Sequence, residues 1–137
     1  VTRVGVEVFE NNSGLTRAGI DFTNELIREI QEETDTKVMD PADAPRRIKG
    51  IVKAITFSTQ SRSSTETVVE RRVTAVVEVQ LLDFDGDILW SVNNFSSSES
   101  FLVGVDNVND DVNINEAIAV IAQRVAERIV SQMMVNF

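Results

Sequence analysis

The stretch that decides the fold runs from Val69 to Leu82 and reads Val-Glu-Arg-Arg-Val-Thr-Ala-Val-Val-Glu-Val-Gln-Leu-Leu. Between residues 72 and 81 every odd position is apolar, and every even position except Val76 is polar. Because successive side chains of a β-strand point to opposite faces, this alternation predicts a strand with one buried face. It is the longest alternating pattern in the chain, so we predict the central strand of a sheet here.

A turn follows the predicted central strand. Asp83-Phe84-Asp85-Gly86-Asp87 interrupts the alternation, which resumes from Ile88 to Val92. Two alternating stretches joined by about five residues that include a glycine are typical of a β-hairpin.

The flanking patterns predict the order β-α-β-β-β-α. We predict strands near 3–9, 47–59, 68–83 and 87–100, and helices near 15–34 and 114–134. The first two strands are expected to be parallel and the later ones antiparallel. Each helix has a single apolar stripe, which predicts that both cover one face of the sheet. The sequence thus predicts an α+β fold, a two-layer sandwich with a four-stranded mixed sheet, in a single domain spanning 1–137.

Composition argues against catalysis. The chain has neither cysteine nor histidine, which removes thiolate chemistry, the usual general base and the commonest metal ligand. It has no phosphate-binding loop and no dinucleotide fingerprint. The acidic segment 106–111 lacks the glycine and glutamate that a calcium-binding loop requires at fixed positions. We therefore predict a protein that is not an enzyme and uses no cofactor or metal.

Charge is unevenly distributed along the chain, whose net charge is −9. The segment from Arg46 to Arg72 holds seven basic and two acidic residues, a net charge of +5, which leaves −14 for the remainder. Uneven scatter of surface charge is one explanation, and a basic patch for an anionic partner is the other. Nucleic acid is a poor candidate because aromatic residues are not interleaved with the basic ones.

Short stretches along nearly the whole chain follow one another in a recognisable order. They are Val6–Asn11, Leu15-Thr16, Leu26–Ile30, Gly50–Val52, Val73–Asp83, Gly86–Trp90, Asn115–Ala117, Ala126 and Ile129-Val130. Taken together, these stretches make the chain resemble the LptE family of lipopolysaccharide-assembly lipoproteins. Glu7 departs from the pattern, since a proline is expected there.

The resemblance implies a lipoprotein anchored to the periplasmic face of the Gram-negative outer membrane through a lipidated cysteine upstream of Val1. It implies that the domain plugs and supports an LptD-type outer-membrane β-barrel, binds lipopolysaccharide and takes part in its transport to the cell surface. The alternative is another outer-membrane-anchored periplasmic α/β lipoprotein domain, acting as a secretion-channel component or an enzyme activator.

For a lipopolysaccharide-binding site we predict five basic residues of the positive segment: Lys49, Lys53, Arg62, Arg71 and Arg72. Lys49 and Lys53 are expected to share one strand face with Ile51, Ile55 and Phe57, which would place cations beside apolar groups. Arg71 and Arg72 are expected to lie on opposite faces, so that one of them joins the two lysines. The alternatives are that these side chains are simply solvated or that they contact the barrel wall.

Overall fold

In residues 2–62, 69–104 and 110–134, which the computed structural model describes, the chain forms six strands and two helices. The side chains of residues 60–62 and 110 lie outside that description. In chain order the elements are β1 (Arg3–Val6), β2 (Glu10–Asn11), α1 (Ala18–Glu33), β3 (Lys37–Met39), β4 (Arg46–Arg62), β5 (Val69–Asp83), β6 (Ile88–Val103) and α2 (Asp110–Met133).

The strands form one mixed sheet in the order β3-β1-β4-β5-β6, and β2 also pairs with β4. β1 runs parallel to both β3 and β4, whereas β4, β5 and β6 are successively antiparallel. The predicted α+β class and mixed sheet are confirmed, as are the parallel first pairing and the later hairpins. The predicted number of four strands is wrong.

One extra strand arises because the predicted strand 3–9 is split in two. Between β1 and β2 the chain turns the Phe9 side chain into the core, where only 4% of it is exposed and its ring stacks on Phe22. The backbone N–H of Phe9 donates to Oγ1 of Thr23 at 2.8 Å rather than to a neighbouring strand. The pattern of apolar residues therefore predicted a longer strand than the hydrogen bonds allow.

The other extra strand, β3, follows α1 and pairs with the outer edge of β1. It has only three residues, Lys37–Met39, which is too short for alternation to be recognised in the sequence. The segment after it packs Pro41 over Gly5, where a β-carbon would stand 2.3 Å from the Pro41 α-carbon. The absence of a side chain at Gly5 thus leaves room for Pro41 to pack directly against β1.

The core lies between the sheet and the two helices. All five odd-numbered residues of β5 from Val73 to Leu81 are fully buried, as the alternation predicted. They join the buried stripe of α1, centred on Phe22 and Leu26, and that of α2, centred on Ile121 and Val125. α1 contacts α2, β3 and β4, while α2 contacts β5 and β6, so both helices cover one face as predicted.

Within the described part of the chain, neither helix is both long enough and apolar enough to span a bilayer. α2 begins at Asp110 and thus earlier than the predicted residue 114. Asn113 lies in the first turns of α2 and donates its side-chain amide to the carbonyl oxygen of Leu102 at 2.9 Å.

Candidate functional site

The candidate site is the open face of the sheet, the face opposite the two helices. On β4 it displays Lys49 and Ile51, and on β5 the residues between the buried positions. The β5 residues of the open face are Arg72, Thr74, Val76, Glu78 and Gln80. Those from Thr74 to Gln80 are half-buried although no helix covers them, because neighbouring strands flank β5 on both sides.

Lys53 occupies an irregular position on β4. The pairing of β4 with β5 shifts between Val52 and Ala54, so Lys53 is the extra residue of a β-bulge. Its exposed side chain reaches across β5, and Nζ donates to Oδ1 of Asn94 at 3.0 Å and to the carbonyl oxygen of Asn93 at 3.3 Å. β6 has its own irregularity at these asparagines, where Phe95 pairs with Val77 but Val92 pairs with Val79.

Because of the bulge, the prediction that Ile55 and Phe57 share a strand face with Lys49 and Lys53 is wrong. One extra residue inverts the alternation of every position that follows it in the strand. Beyond the bulge Ile55 pairs with Ala75 and Phe57 with Val73, both of which are buried under the helices. Ile55 and Phe57 therefore pack against the core instead of standing beside Lys49 and Lys53, and Ile51 alone keeps the predicted position on the open face.

Arg71 and Arg72 lie on opposite faces, as predicted. Arg72 is exposed on the open face, opposite Ser58 and Ser100. Arg71 is half-buried on the helix face, with its guanidinium carbon 5.5 Å from the centre of the Phe57 ring. The Nε atom of Arg71 is buried without a hydrogen-bond partner among the described residues.

The structure brings together only part of the predicted set of five. Lys49 and Lys53 lie close along β4, but Arg72 pairs with Ser58, nine residues beyond Lys49. At about 3.3 Å per residue this separates the two positions by roughly 30 Å. Arg71 belongs to the other face, and the side chain of Arg62 lies outside the described residues. The basic side chains thus form a line along the strands rather than a compact cluster.

Acidic residues that the sequence analysis did not include surround Lys49. A depression of about 270 Å³ is lined by Glu7, Val8, Glu10, Lys49, Gly50, Ile51, Glu78 and Gln80. A carboxylate oxygen of Glu7 stands 3.9 Å from Nη1 of Arg47 and has no hydrogen bond among the described residues. This end of the open face is therefore of mixed charge, because Glu7 after β1, Glu10 of β2 and Glu78 of β5 lie beside Lys49.

Asn93 and Asn94 are the other functional candidates that sequence reasoning missed. Two adjacent polar residues in the middle of an alternating pattern interrupt its period, and this was a detectable signal of a bulge. Among the described residues, no group of three or more acidic side chains is arranged to hold a metal ion.

The family model for LptE, described as lipopolysaccharide-assembly, matches residues 1–133. The chain belongs to the LptE family. This membership confirms the resemblance found in the sequence and the prediction that the protein is a non-enzymatic assembly lipoprotein. A search of curated proteins finds no significant match.

Solved structures similar to this LptE-family chain share its fold at low sequence identity. Rare lipoprotein B from Shewanella oneidensis has a TM-score of 0.67 at 13% identity, with 98% of this chain and 95% of that chain covered. A minor lipoprotein from Acinetobacter baumannii gives 0.63 at 14% identity, covering 98% and 92%. PelC from Paraburkholderia phytofirmans, solved as a dodecamer, gives 0.54 at 15% identity, covering 94% and 86%.

Proposed function

We propose that this LptE-family protein binds lipopolysaccharide on the open face of its sheet. The observation that supports the proposal is the arrangement of Lys49 and Lys53 around Ile51, with Val76 on the adjacent strand. Lipopolysaccharide carries phosphates and acidic sugars above a large apolar body. Ammonium groups beside half-buried apolar side chains suit such an amphipathic anion better than they suit a purely polar ligand.

Electrostatics restricts how the ligand is bound. A net charge of −9 repels an anion at long range, so the attraction has to act at short range. The Debye length of about 8 Å at physiological salt screens the distant acids, whereas Glu7, Glu10 and Glu78 line the same depression as Lys49 and oppose the binding of an anion there. Lys53 is held over the sheet by Asn93 and Asn94, which reduces the conformational entropy that its ammonium group would lose on binding an anion.

The same proposal includes a barrel partner. We propose that the domain plugs and supports an LptD-type β-barrel at the periplasmic face of the outer membrane, where an upstream lipid anchors it. Support comes from β6, the outermost strand at one side of the sheet, which has polar side chains at Ser91, Asn93, Asn94, Ser96, Ser97, Ser98 and Ser100. The interior of an outer-membrane barrel is polar, so a serine-rich and asparagine-rich edge is compatible with its wall.

Co-purification tests both parts of the proposal. The full-length lipidated protein is affinity-purified from detergent-solubilised outer membranes, and the eluate is examined for a stoichiometric β-barrel protein and for lipopolysaccharide. We expect both. If the protein is recovered without a barrel, the plug role is contradicted. If it is recovered together with a secretion channel or an enzyme that it activates, the alternative function is favoured. A barrel without lipopolysaccharide would contradict the ligand proposal alone.

A further inference from the structure

The hairpin tip, residues 83–89 between β5 and β6, exposes apolar side chains that the proposed function does not use. Phe84 is 70% exposed, Ile88 58% and Leu89 38%. Single exposed apolar residues are ordinary on a protein surface, but here three lie within six residues, one in the turn and two at the start of β6. Exposed apolar patches mark contact surfaces, so the tip is a candidate for binding.

The turn that carries Phe84 is closed by its own hydrogen bonds. The backbone N–H of Asp83 donates to the carbonyl oxygen of Asp87 at 2.9 Å, and the N–H of Gly86 donates to the carbonyl oxygen of Asp83 at 3.1 Å. The N–H of Asp87 also donates to Oδ1 of Asp83 at 2.9 Å. Gly86 adopts φ of 91°, a conformation that glycine tolerates without strain. Phe84 is thus presented by a preorganised turn, which lowers the entropic cost of burying it against a partner.

Charge indicates which kind of partner the tip fits. Asp83, Asp85 and Asp87 flank the exposed Phe84 in the sequence, and Asp85 and Asp87 are themselves exposed. Asp83 pairs across the strands with Arg46, and Nη2 of Arg47 would stand 4.0 Å from a β-carbon at Gly86, so Asp85 and Asp87 are the acids that the tip offers to a partner. Anionic phospholipid and lipopolysaccharide would be repelled by this acidic surround, whereas a protein pocket lined by Lys and Arg would be attracted.

The tip is also remote from Arg72, the basic residue at the other end of β5 on the open face. Arg72 precedes Asp83 by eleven residues on the same strand, which corresponds to roughly 36 Å at about 3.3 Å per residue. β1 runs parallel to β4, and Gly5 pairs with Arg47, so the start of β1 lies at the same end of the sheet as the hairpin tip.

We propose that the hairpin tip is a docking site for a protein partner that offers an apolar pocket rimmed by basic residues. Phe84 fills the pocket as an aromatic anchor, Ile88 and Leu89 extend the apolar contact, and Asp85 and Asp87 meet the basic rim. Buried aromatic anchors surrounded by complementary charges are the usual energetic centres of protein interfaces.

Site-specific photo-crosslinking tests the proposal in the full-length lipidated protein in cells. A benzophenone amino acid replaces Phe84, and the matched control carries it at Ile20, an apolar residue of α1 that is 49% exposed. We expect a discrete protein adduct at position 84, mapped by mass spectrometry to an apolar residue flanked by Lys or Arg. Adding Asp85→Lys and Asp87→Lys is expected to reduce that adduct about tenfold, in line with the loss of a charge-complementary anchor contact.

Other outcomes would overturn the proposal. These are an adduct with lipid or lipopolysaccharide, an adduct with a second copy of this chain, an equal adduct at position 20, or none at position 84. Flotation with phosphatidylethanolamine–phosphatidylglycerol vesicles provides a second readout, in which Phe84→Ser is expected to change nothing. Phe84→Ser is also expected to leave the thermal midpoint and lipopolysaccharide recovery unchanged, so failure here is distinguishable from failure of the proposed function.

Discussion

The ring of Phe9 lies directly over Gly50, so that a β-carbon at position 50 would stand 2.4 Å from two ring atoms. The ring has little room to move, because it is buried and stacked on Phe22 with the ring centres 6.3 Å apart. This contact joins the irregular segment between β1 and β2 to Gly50, the fifth residue of β4. It also explains why β4 carries a glycine in the interior of a long strand, where glycine is otherwise unfavourable.

Gly50→Ala is therefore expected to lower the free energy of unfolding by about 1–3 kcal/mol, the usual cost of inserting a methyl group into a packed core. Chemical denaturation measures the loss. Gly14→Ala is the matched control, since a β-carbon there meets nothing within 4 Å. Phe9→Leu is expected to recover part of the loss when it is combined with Gly50→Ala. Equal stability of the Gly50 and Gly14 variants would contradict the contact.

Val77 and Val76 are adjacent on β5 but face opposite sides of the sheet. Val77 is fully buried under the helix layer, and Val76 is half-buried on the open face. Val77→Ala is expected to cost about 2–4 kcal/mol, from lost transfer energy and a residual cavity, and Val76→Ala clearly less. Urea unfolding of the two variants makes the comparison, and a loss below about 0.5 kcal/mol for Val77→Ala would mean that the buried face of β5 is misassigned.

Replacing the open-face cations Lys49, Lys53 and Arg72 with Glu is expected to weaken lipopolysaccharide binding while changing the thermal midpoint little. Reversing Arg17, at the start of α1, is expected to have a much smaller effect. Arg28 is unsuitable as a control, because it is ion-paired with Glu25 and Glu32. Arg124 is unsuitable as a control, because it donates to the carbonyl oxygen of Ser98 at 2.9 Å. Binding is measured at two salt concentrations, since short-range charge contacts weaken as screening increases. Equal binding by both variant sets would eliminate the open face as the site.

Arg71 and Arg72 offer a sharper comparison within the predicted site. Arg71 packs over Phe57, which itself meets Phe101 edge to face with ring centres 6.0 Å apart. Arg71→Ala is expected to lose about 0.5–1 kcal/mol of stability from the cation–π contact and to leave ligand binding unchanged. Arg72→Ala is expected to weaken ligand binding and to leave stability unchanged. Both variants are compared by thermal unfolding and by lipopolysaccharide binding. Weaker ligand binding by the Arg71 variant together with lower stability of the Arg72 variant would show that the two residues lie on the opposite faces from those described.

Glu29 makes stability depend on pH. Burial raises the pKa of its carboxyl group, and Glu127 on α2 and Glu33 on α1 raise that pKa further, while Arg28 opposes them and Glu32 adds a smaller increase. Because the folded state holds this proton more tightly than the unfolded state, the associated stability is present at low pH and is lost as pH rises through the raised pKa.

Glu29→Gln is therefore expected to raise the thermal midpoint at pH 7 and to change it less at pH 4. Glu32→Gln is the control, because Glu32 accepts from Arg28 at 3.4 Å and its removal eliminates an ion pair. A lower midpoint for Glu29→Gln at pH 7 would show that the carboxylate is stabilising.

Local periodicity was sufficient to predict β5, both helices and the side of each element that is buried. The odd positions from Val73 to Leu81 and the stripe from Phe22 to Ile30 depend only on the repeat of strand or helix and on the preference of apolar groups for a core. Those forces act within a few residues, so the sequence by itself determined the α+β class and the family resemblance. The opposite orientations of Arg71 and Arg72 follow from the same repeat.

Tertiary structure alone decided the composition of the open face. The extra residue at Lys53 moved Ile55 and Phe57 to the core, and the strand pairing brought Glu7, Glu10 and Glu78 beside Lys49. Neither outcome can be derived from alternation, because a bulge depends on the register between strands and the acids come from segments far apart in the chain. The short strands β2 and β3 also depend on partners rather than on their own two or three residues, since a strand of that length is formed only by the sheet that accepts it.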